Sequence, residues 1–271
     1  MTSASIGRIR ALLAKEWLDV RWGPSIWLPL ALTLVACAVP TLVAVVLPGV
    51  TGESLADAEV GRVADAAARV WPELTSLGAD AAAEAVVYAQ FLALLVLVPV
   101  SASVAAAAYG VVGEKMDKTL EPLLATPLTT TELLTAKVVG AAAPACALSI
   151  LGMVAYAASV LVFARPGVFA ALMGARTIVF VTILGPLVTL VALQGTILAS
   201  TRSVDPRSAQ QAGSLAIVPV TAFMVAEFSG AWWLSTSEFL WVAAGLAVGW
   251  LGLLAASVAL FDRERVLLRW K

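Results

Sequence analysis

Three residues could do chemistry inside the long apolar stretches of this 271-residue chain: Glu227, Gln90 and Gln194. A charged side chain at the centre of a bilayer costs about 2.5–3.5 kcal/mol, so such residues usually face a cavity or a partner. Glu227 either lines a polar path or, about 24 Å along its helix, reaches the interface. For Gln90 and Gln194 the alternatives are lining of that path and hydrogen bonding between helices.

Standard catalytic sites are not expected. The chain has no histidine, which excludes an H-E-x-x-H zinc site and a serine nucleophile with a histidine base. The nearest approach to a phosphate-binding loop, Gly110–Met116, has the wrong spacing and lacks the closing hydroxyl. We therefore expect no catalytic, cofactor-binding or metal-binding residues and no enzyme activity in this chain.

The most distinctive polar segment is Gly113–Lys137, GEKMDKTLEPLLATPLTTTELLTAK. Pro127 should end any helix that precedes it, because the residue before proline avoids the helical region. Thr129–Glu132 has the spacing of a capping box, which predicts the start of a new helix. Between the charged cluster and Pro127 we expect a short helix over Lys118–Ala125. Such a short helix is marginal alone, so it must dock on a partner or lie on lipid. The residues that could contact a partner are Glu114, Lys115, Lys118, Thr119, Leu120, Glu121, Leu123 and Leu124.

The elements that carry these residues are predicted to be membrane helices. The chain is 61% hydrophobic and only 13% charged, with a mean hydropathy of +0.95, and its apolar runs are continuous. Helices and closed barrels are the folds that satisfy the backbone in lipid, and barrel strands would alternate. We expect an all-α polytopic membrane protein of one domain, 1–271. Its six spans are placed at about 26–47, 85–111, 137–163, 177–200, 211–228 and 239–261.

An amphipathic helix is predicted ahead of the first span, over residues 5–22. Ile6, Ile9, Leu13, Trp17 and Val20 share one helical face, with charged residues opposite. This pattern is typical of a helix lying in the membrane interface, although a soluble amphipathic helix has the same pattern.

The distribution of Lys and Arg orients the spans. With a cytoplasmic N-terminus, thirteen of the 17 positive residues lie inside, which predicts two cytoplasmic termini in the plasma membrane. The extracellular loop 48–84 should then carry a short amphipathic helix between Ala56 and Val70. Cys37 and Cys146 lie in apolar runs, where burial is favoured over a disulfide. The positive residues left outside are Arg62, Arg69, Arg165 and Arg176.

The segment 113–131 resembles the cytoplasmic loop of type-2 ABC exporter permeases, closest to the sodium-export branch. The resemblance rests on Glu114-Lys115, Thr119-Leu-Glu121, Leu124, Pro127 and Glu132-Leu133 with Lys137. Lys118 stands where that family commonly has glycine. Further similar motifs are Lys15-Glu16-Trp17, Ser208–Gln211 and Phe261–Arg265.

This resemblance implies a permease subunit that forms a translocation path in the membrane. It would pair with a second permease copy or paralogue and with two cytosolic ATPase subunits, which bind ATP and Mg. The short helix would be the coupling helix, and 201–210 a smaller contact. Two other classes stay open: a stand-alone secondary transporter or channel, and a non-transporting membrane scaffold.

Overall fold

The computed structural model describes residues 27–56, 59–116, 130–203, 205–215 and 217–260. All regular elements in these ranges are helical, which confirms the all-α membrane fold class. The interfacial helix predicted over 5–22, the short helix predicted over Lys118–Ala125 and the motif Phe261–Arg265 lie outside these ranges.

The helices are numbered in chain order. They are α1 Trp27–Thr41, α2 Leu47–Thr51, α3 Glu59–Ala68, α4 Ala79–Met116, α5 Thr130–Phe163, α6 Val168–Leu172, α7 Ala175–Val179, α8 Gly185–Arg202, α9 Pro206–Ser214, α10 Ile217–Phe228 and α11 Thr236–Leu260. Two π-helical turns, Leu42–Val46 and Phe180–Leu184, join α1 to α2 and α7 to α8, and a 3₁₀ turn covers Pro72–Ser76.

Among the described residues, five helical segments are long and apolar enough to cross a membrane. A sixth span exists only if α9 and α10 cross as one bent pair, so the predicted count of six needs this reading. The five are Trp27–Thr51, Ala79–Ala108, Ala136–Phe163, Ala175–Ser200 and Thr236–Ser257.

Over the predicted fifth span, 211–228, the described residues belong to two helices. Helix α9 begins earlier, at Pro206, and α10 meets it at an angle of 40°. Pro219 explains a break near Leu215, because proline has no N–H to donate to the carbonyl four residues back and its ring clashes with that carbonyl. The Leu215 carbonyl accepts instead from the N–H of Val218, at 3.3 Å.

The last helix begins at Thr236, three residues before the predicted start at Phe239. Ser235 and Glu238 form a reciprocal cap at this end. The Ser235 N–H donates to Glu238 Oε2 at 2.7 Å, and the Glu238 N–H donates to Ser235 Oγ at 3.4 Å. This is the capping-box arrangement, and it satisfies two N–H groups that the first helical turn would leave free.

Helix α4 is the central helix of the bundle, packing against α1, α5, α8, α9 and α10. It is longer than the predicted span 85–111 at both ends. We call the end of the bundle that carries residues 52–78 the loop end. The last turn of α4 and the first turns of α5 and α9 lie at the opposite end.

The two cysteines are both free thiols. Cys37 is buried as expected, with its Sγ 3.4 Å from the carbonyl oxygen of Gly152, whereas Cys146 is exposed on α5. The predicted burial is therefore confirmed for Cys37 and wrong for Cys146.

Candidate functional site: a buried ion pair at the loop end

Glu227 lies in the last turn of α10, and only 3% of it is exposed. Its carboxylate therefore points into the bundle, away from the surface that an interfacial side chain would need. A carboxylate this deeply buried requires a compensating partner, because desolvation of an isolated charge is costly. The structure supplies that partner from another helix.

The partner is Arg176 of α7, which is 7% exposed. Its Nη2 donates to Glu227 Oε1, and its Nε donates to the backbone carbonyl of Leu234 at 3.0 Å. One guanidinium thus connects the start of α7, the end of α10 and the segment that leads into α11. The fork of donors on arginine allows this double contact, which a lysine could not reproduce.

Three aromatic rings surround the same guanidinium. Its Cζ lies 5.4 Å from the ring centroid of Trp71, 4.9 Å from that of Trp233 and 5.1 Å from that of Phe239. These distances are within the range of cation–π attraction. We call Arg176, Glu227, Trp71, Trp233 and Phe239 the Arg176 cluster.

Gln90 of α4 joins this site through the main chain. Its Nε2 donates to the backbone carbonyl of Glu227 at 3.3 Å, and its side chain is buried. The structure therefore brings Gln90 and Glu227 together, as a hydrogen bond between helices. Gln90 holds the end of α10 against the central helix.

Gln194 lies apart from this site. It follows Arg176 by eighteen positions, which is about 27 Å of helix. Its Nε2 donates to Ser257 Oγ at 2.7 Å, and Gln194 is completely buried. This bond joins α8 to α11 in the half of the bundle away from the loop end.

The Arg176 cluster holds these helices together by electrostatic contacts. Removing one partner of a buried ion pair typically costs 3–5 kcal/mol, because the other charge is left uncompensated. The charge of the Glu227 carboxylate is compensated by the Arg176 guanidinium, which weakens its attraction for a further cation. Within the described residues no group of acidic or cysteine side chains could hold a metal ion.

A second ion-pair cluster at the loop end is centred on Arg165, which follows α5. Its Nη1 lies 3.2 Å from Asp80 Oδ2, and its backbone N–H donates to Glu84 Oε1 at 3.0 Å. Asp80 Oδ1 also accepts from Ser54 Oγ at 2.6 Å. This cluster ties the start of α4 to the end of α5 and to the loop after α2.

Sequence reasoning did not identify Arg176 as the partner of Glu227. A signal was present, because alternate spans run in opposite directions. The start of the fourth predicted span and the end of the fifth must therefore lie at the same end of the bundle. Arg176 and Glu227 carry opposite charges at these two ends, and this observation could have identified them as partners.

Comparison with known proteins decides the family. Residues 10–239 match the model of the ABC-2 family transporter protein, which covers most of the chain. The chain belongs to the ABC-2 transporter family. No curated protein and no solved structure matches it. This ABC-2 chain is thus a multi-pass membrane protein and the permease component of an ABC transporter, a subunit type that is generally not catalytic.

In this ABC-2 chain, two of the expected ATPase-contact residues, Glu114 and Lys115, lie in the last turns of α4. The others lie outside the described residues: Lys118, Thr119, Leu120, Glu121, Leu123 and Leu124. Among the described residues, α5 covers Thr130–Phe163, and the proposed cap residue Thr129 lies outside them.

Proposed function

We propose that this chain is the permease subunit of an ATP-driven exporter, coupled to two cytosolic ATPase subunits through residues 113–131. The observation that carries the proposal is the match of residues 10–239 to the ABC-2 transporter family. The ATPase subunits would bind ATP and Mg and supply the energy, since the chain itself has no phosphate-binding loop.

The ends of α4 and α5 support the position of the contact. Glu114 and Lys115 lie in the last turns of α4, and Glu132 lies in the first turn of α5. Because charged side chains are costly in the hydrocarbon core, these turns would lie beyond it, where a cytosolic subunit can reach them.

The free energy needed to switch the permease between two conformations is modest. Moving a two-state equilibrium from 1:99 to 99:1 takes about 5.5 kcal/mol of differential binding. ATP-driven closure of the two ATPase subunits would supply this free energy. The positive-inside distribution of Lys and Arg supports this end as the cytoplasmic one, in the plasma membrane.

A second permease, either a copy or a paralogue, would complete the path. The described part of α11 exposes large apolar side chains, including Trp241 at 78% and Val248 at 70%. Lipid or the second permease would cover this face. Gln90, Gln194 and Glu227 are all buried within one chain, so a path along them would require these helices to separate.

Na⁺ is the first candidate substrate, because the sequence resembles the sodium-export branch of these permeases. If Glu227 were a cation ligand in the path, Glu227→Gln would abolish stimulation of the ATPase by Na⁺. If Glu227 only holds the helices together, Na⁺ should still stimulate the ATPase in folded Glu227→Gln protein. Lipid-like drugs and peptides form the rest of the screen.

Copurification tests the coupling. The tagged chain should bring down a cytosolic ATPase, and Leu120→Ala, Glu121→Ala and Leu124→Ala together should abolish this association. A matched control is Glu59→Ala with Thr75→Ala, two exposed positions at the loop end. Unchanged association and ATPase activity in the triple variant would overturn the coupling proposal.

The alternatives predict different results. A stand-alone secondary transporter or channel would transport in proteoliposomes without any ATPase, and a scaffold would copurify with partners but not transport. The Arg176 pair disfavours the first alternative, because it engages the carboxylate that an ion-coupled mechanism would use.

A further inference from the structure

A cavity of about 310 Å³ lies at the loop end, beside the loop that follows α2. Small-molecule sites are clefts of about 300–1,000 Å³ that are mostly apolar, with a few polar groups. The described lining has this composition, because it combines the apolar residues Ala44, Val45 and Phe163 with charged side chains. A water molecule takes about 30 Å³ in the liquid, so the cavity has room for about ten waters or for one small organic molecule.

The charged part of the described lining carries an excess of negative charge. Its carboxylates are those of Glu53, Asp80 and Glu84, and its cation is the guanidinium of Arg165. Glu53 and Arg165 are exposed, whereas Glu84 is only 1% exposed, so the Glu84 carboxylate lies on the inner wall. Three carboxylates and one guanidinium favour a ligand of positive charge.

The Glu84 carboxylate is only partly compensated by its neighbours. Its Oε1 accepts from the backbone N–H of Arg165 at 3.0 Å, but its Oε2 is 3.7 Å from Arg165 Nε, which is longer than a hydrogen bond. The same guanidinium also lies 3.2 Å from Asp80 Oδ2. Two carboxylates therefore share one cation. A buried carboxylate needs close hydrogen-bonded compensation, and a cationic N–H donor directed at Oε2 would supply it.

The lining also indicates which class of cation fits. Within the described residues no group of acidic or cysteine side chains could hold a metal ion. The apolar lining residues would stay unpaired around a small hydrated ion, whereas a hydrocarbon body would pack against them. An ammonium group on a compact apolar body satisfies both the carboxylate and the apolar wall.

We propose that this cavity binds a small free amine in its ammonium form, with its N–H groups on Glu84 and its apolar body against Val45 and Phe163. The inference goes beyond the proposed function and does not rest on it, because binding at this site needs no ATPase. It also does not involve Glu227, whose charge is compensated by Arg176.

Binding is tested with a fluorinated pair of probes on the full chain in phosphatidylcholine nanodiscs. The probes are 2-(4-fluorophenyl)ethylamine and 2-(4-fluorophenyl)ethanol, which have almost the same shape and differ in charge. Fluorine NMR line broadening measures binding, and empty nanodiscs give the blank for partition into lipid. We expect saturable binding of the amine and much weaker binding of the alcohol.

Two variants assign the binding to the cavity. Glu84→Gln keeps the size of the side chain and removes its charge, so it should weaken amine binding about tenfold or more. Gly49 lines the cavity, and nothing lies within 4 Å of a Cβ added there, so Gly49→Leu should block binding by filling space. The matched controls are Glu73→Gln on the exposed 3₁₀ turn and Gly245→Leu on an open face of α11. Both controls should bind the amine as the unchanged chain does.

The possible results separate the proposal from its alternatives. Equal binding of the amine and the alcohol would overturn it, as would unchanged amine binding in folded Glu84→Gln or Gly49→Leu protein. If Glu84→Gln does not fold, Gly49→Leu decides the question, because it leaves every charge in place. Amine binding that is lost in phosphatidylethanolamine nanodiscs would assign the site to a lipid ammonium group and overturn the free amine.

Discussion

Arg176 and Glu227 are 51 positions apart, yet they form a buried ion pair at one end of the bundle. Their helices enter and leave the membrane-spanning region at the same end, so the pair is a direct consequence of antiparallel neighbours. The surrounding rings exclude water from both charges. This one contact therefore fixes the relative position of α7, α10 and the start of α11.

The first prediction concerns the strength of this pair. Arg176→Gln or Glu227→Gln should each lower the free energy of unfolding by about 3–5 kcal/mol, because each leaves one buried charge without its partner. Replacing both residues, Arg176→Met with Glu227→Gln, should cost less than the two single changes added. Unfolding in detergent, followed by tryptophan fluorescence, measures all three.

The control for this cycle is the exposed Arg62–Glu59 pair, whose side chains are 78% and 80% exposed. Exposed pairs contribute about 0–1 kcal/mol, so Arg62→Gln should change stability little. If additive losses were found for Arg176 and Glu227, the two side chains would not act as a coupled pair.

The second prediction concerns the packing of α9 on α8. A Cβ at Gly213 would lie far inside van der Waals contact with Thr196 Oγ1. Gly213→Ala should therefore destabilise the protein by about 1–3 kcal/mol. Thermal unfolding measures the loss, and Thr196→Ala in the same protein should recover part of it.

Gly245→Ala is the matched control, because nothing lies within 4 Å of its added Cβ. Alanine is favoured over glycine in a helix by about 1 kcal/mol, so this change should be neutral or stabilising. A similar loss at Gly213 and Gly245 would argue against the close α8–α9 contact.

The third prediction concerns the cap of α11. Ser235→Ala removes the hydroxyl that accepts from the Glu238 N–H and should cost about 1 kcal/mol. The neighbouring change Ser237→Ala leaves the reciprocal cap in place and should cost much less. Equal melting temperatures for both variants would contradict the cap.

The sequence predicted the helical membrane fold because continuous apolar runs have few other solutions in lipid. The capping-box pattern at Ser235–Glu238 was missed because the apolar run was taken to define that helix. Pro219 lies near the start of α10, at a break that the continuous apolar run of 211–228 does not reveal.

The Arg176–Glu227 pair could not be predicted from local spacing. Its formation depends on which helices are neighbours and on their rotation, and both are set by packing across the whole bundle. Gln90 and Gln194 show the same limit. The two amides have similar surroundings in sequence, yet one lies beside Glu227 and the other binds Ser257 far along α8.

The most direct test of the proposed function is ATP hydrolysis by the purified complex in proteoliposomes. The account predicts that the intact chain supports hydrolysis and export. It also predicts that Leu120→Ala, Glu121→Ala and Leu124→Ala together abolish both, while folding and membrane insertion are kept. Export that continues at the same rate with no ATPase subunit present would contradict the account.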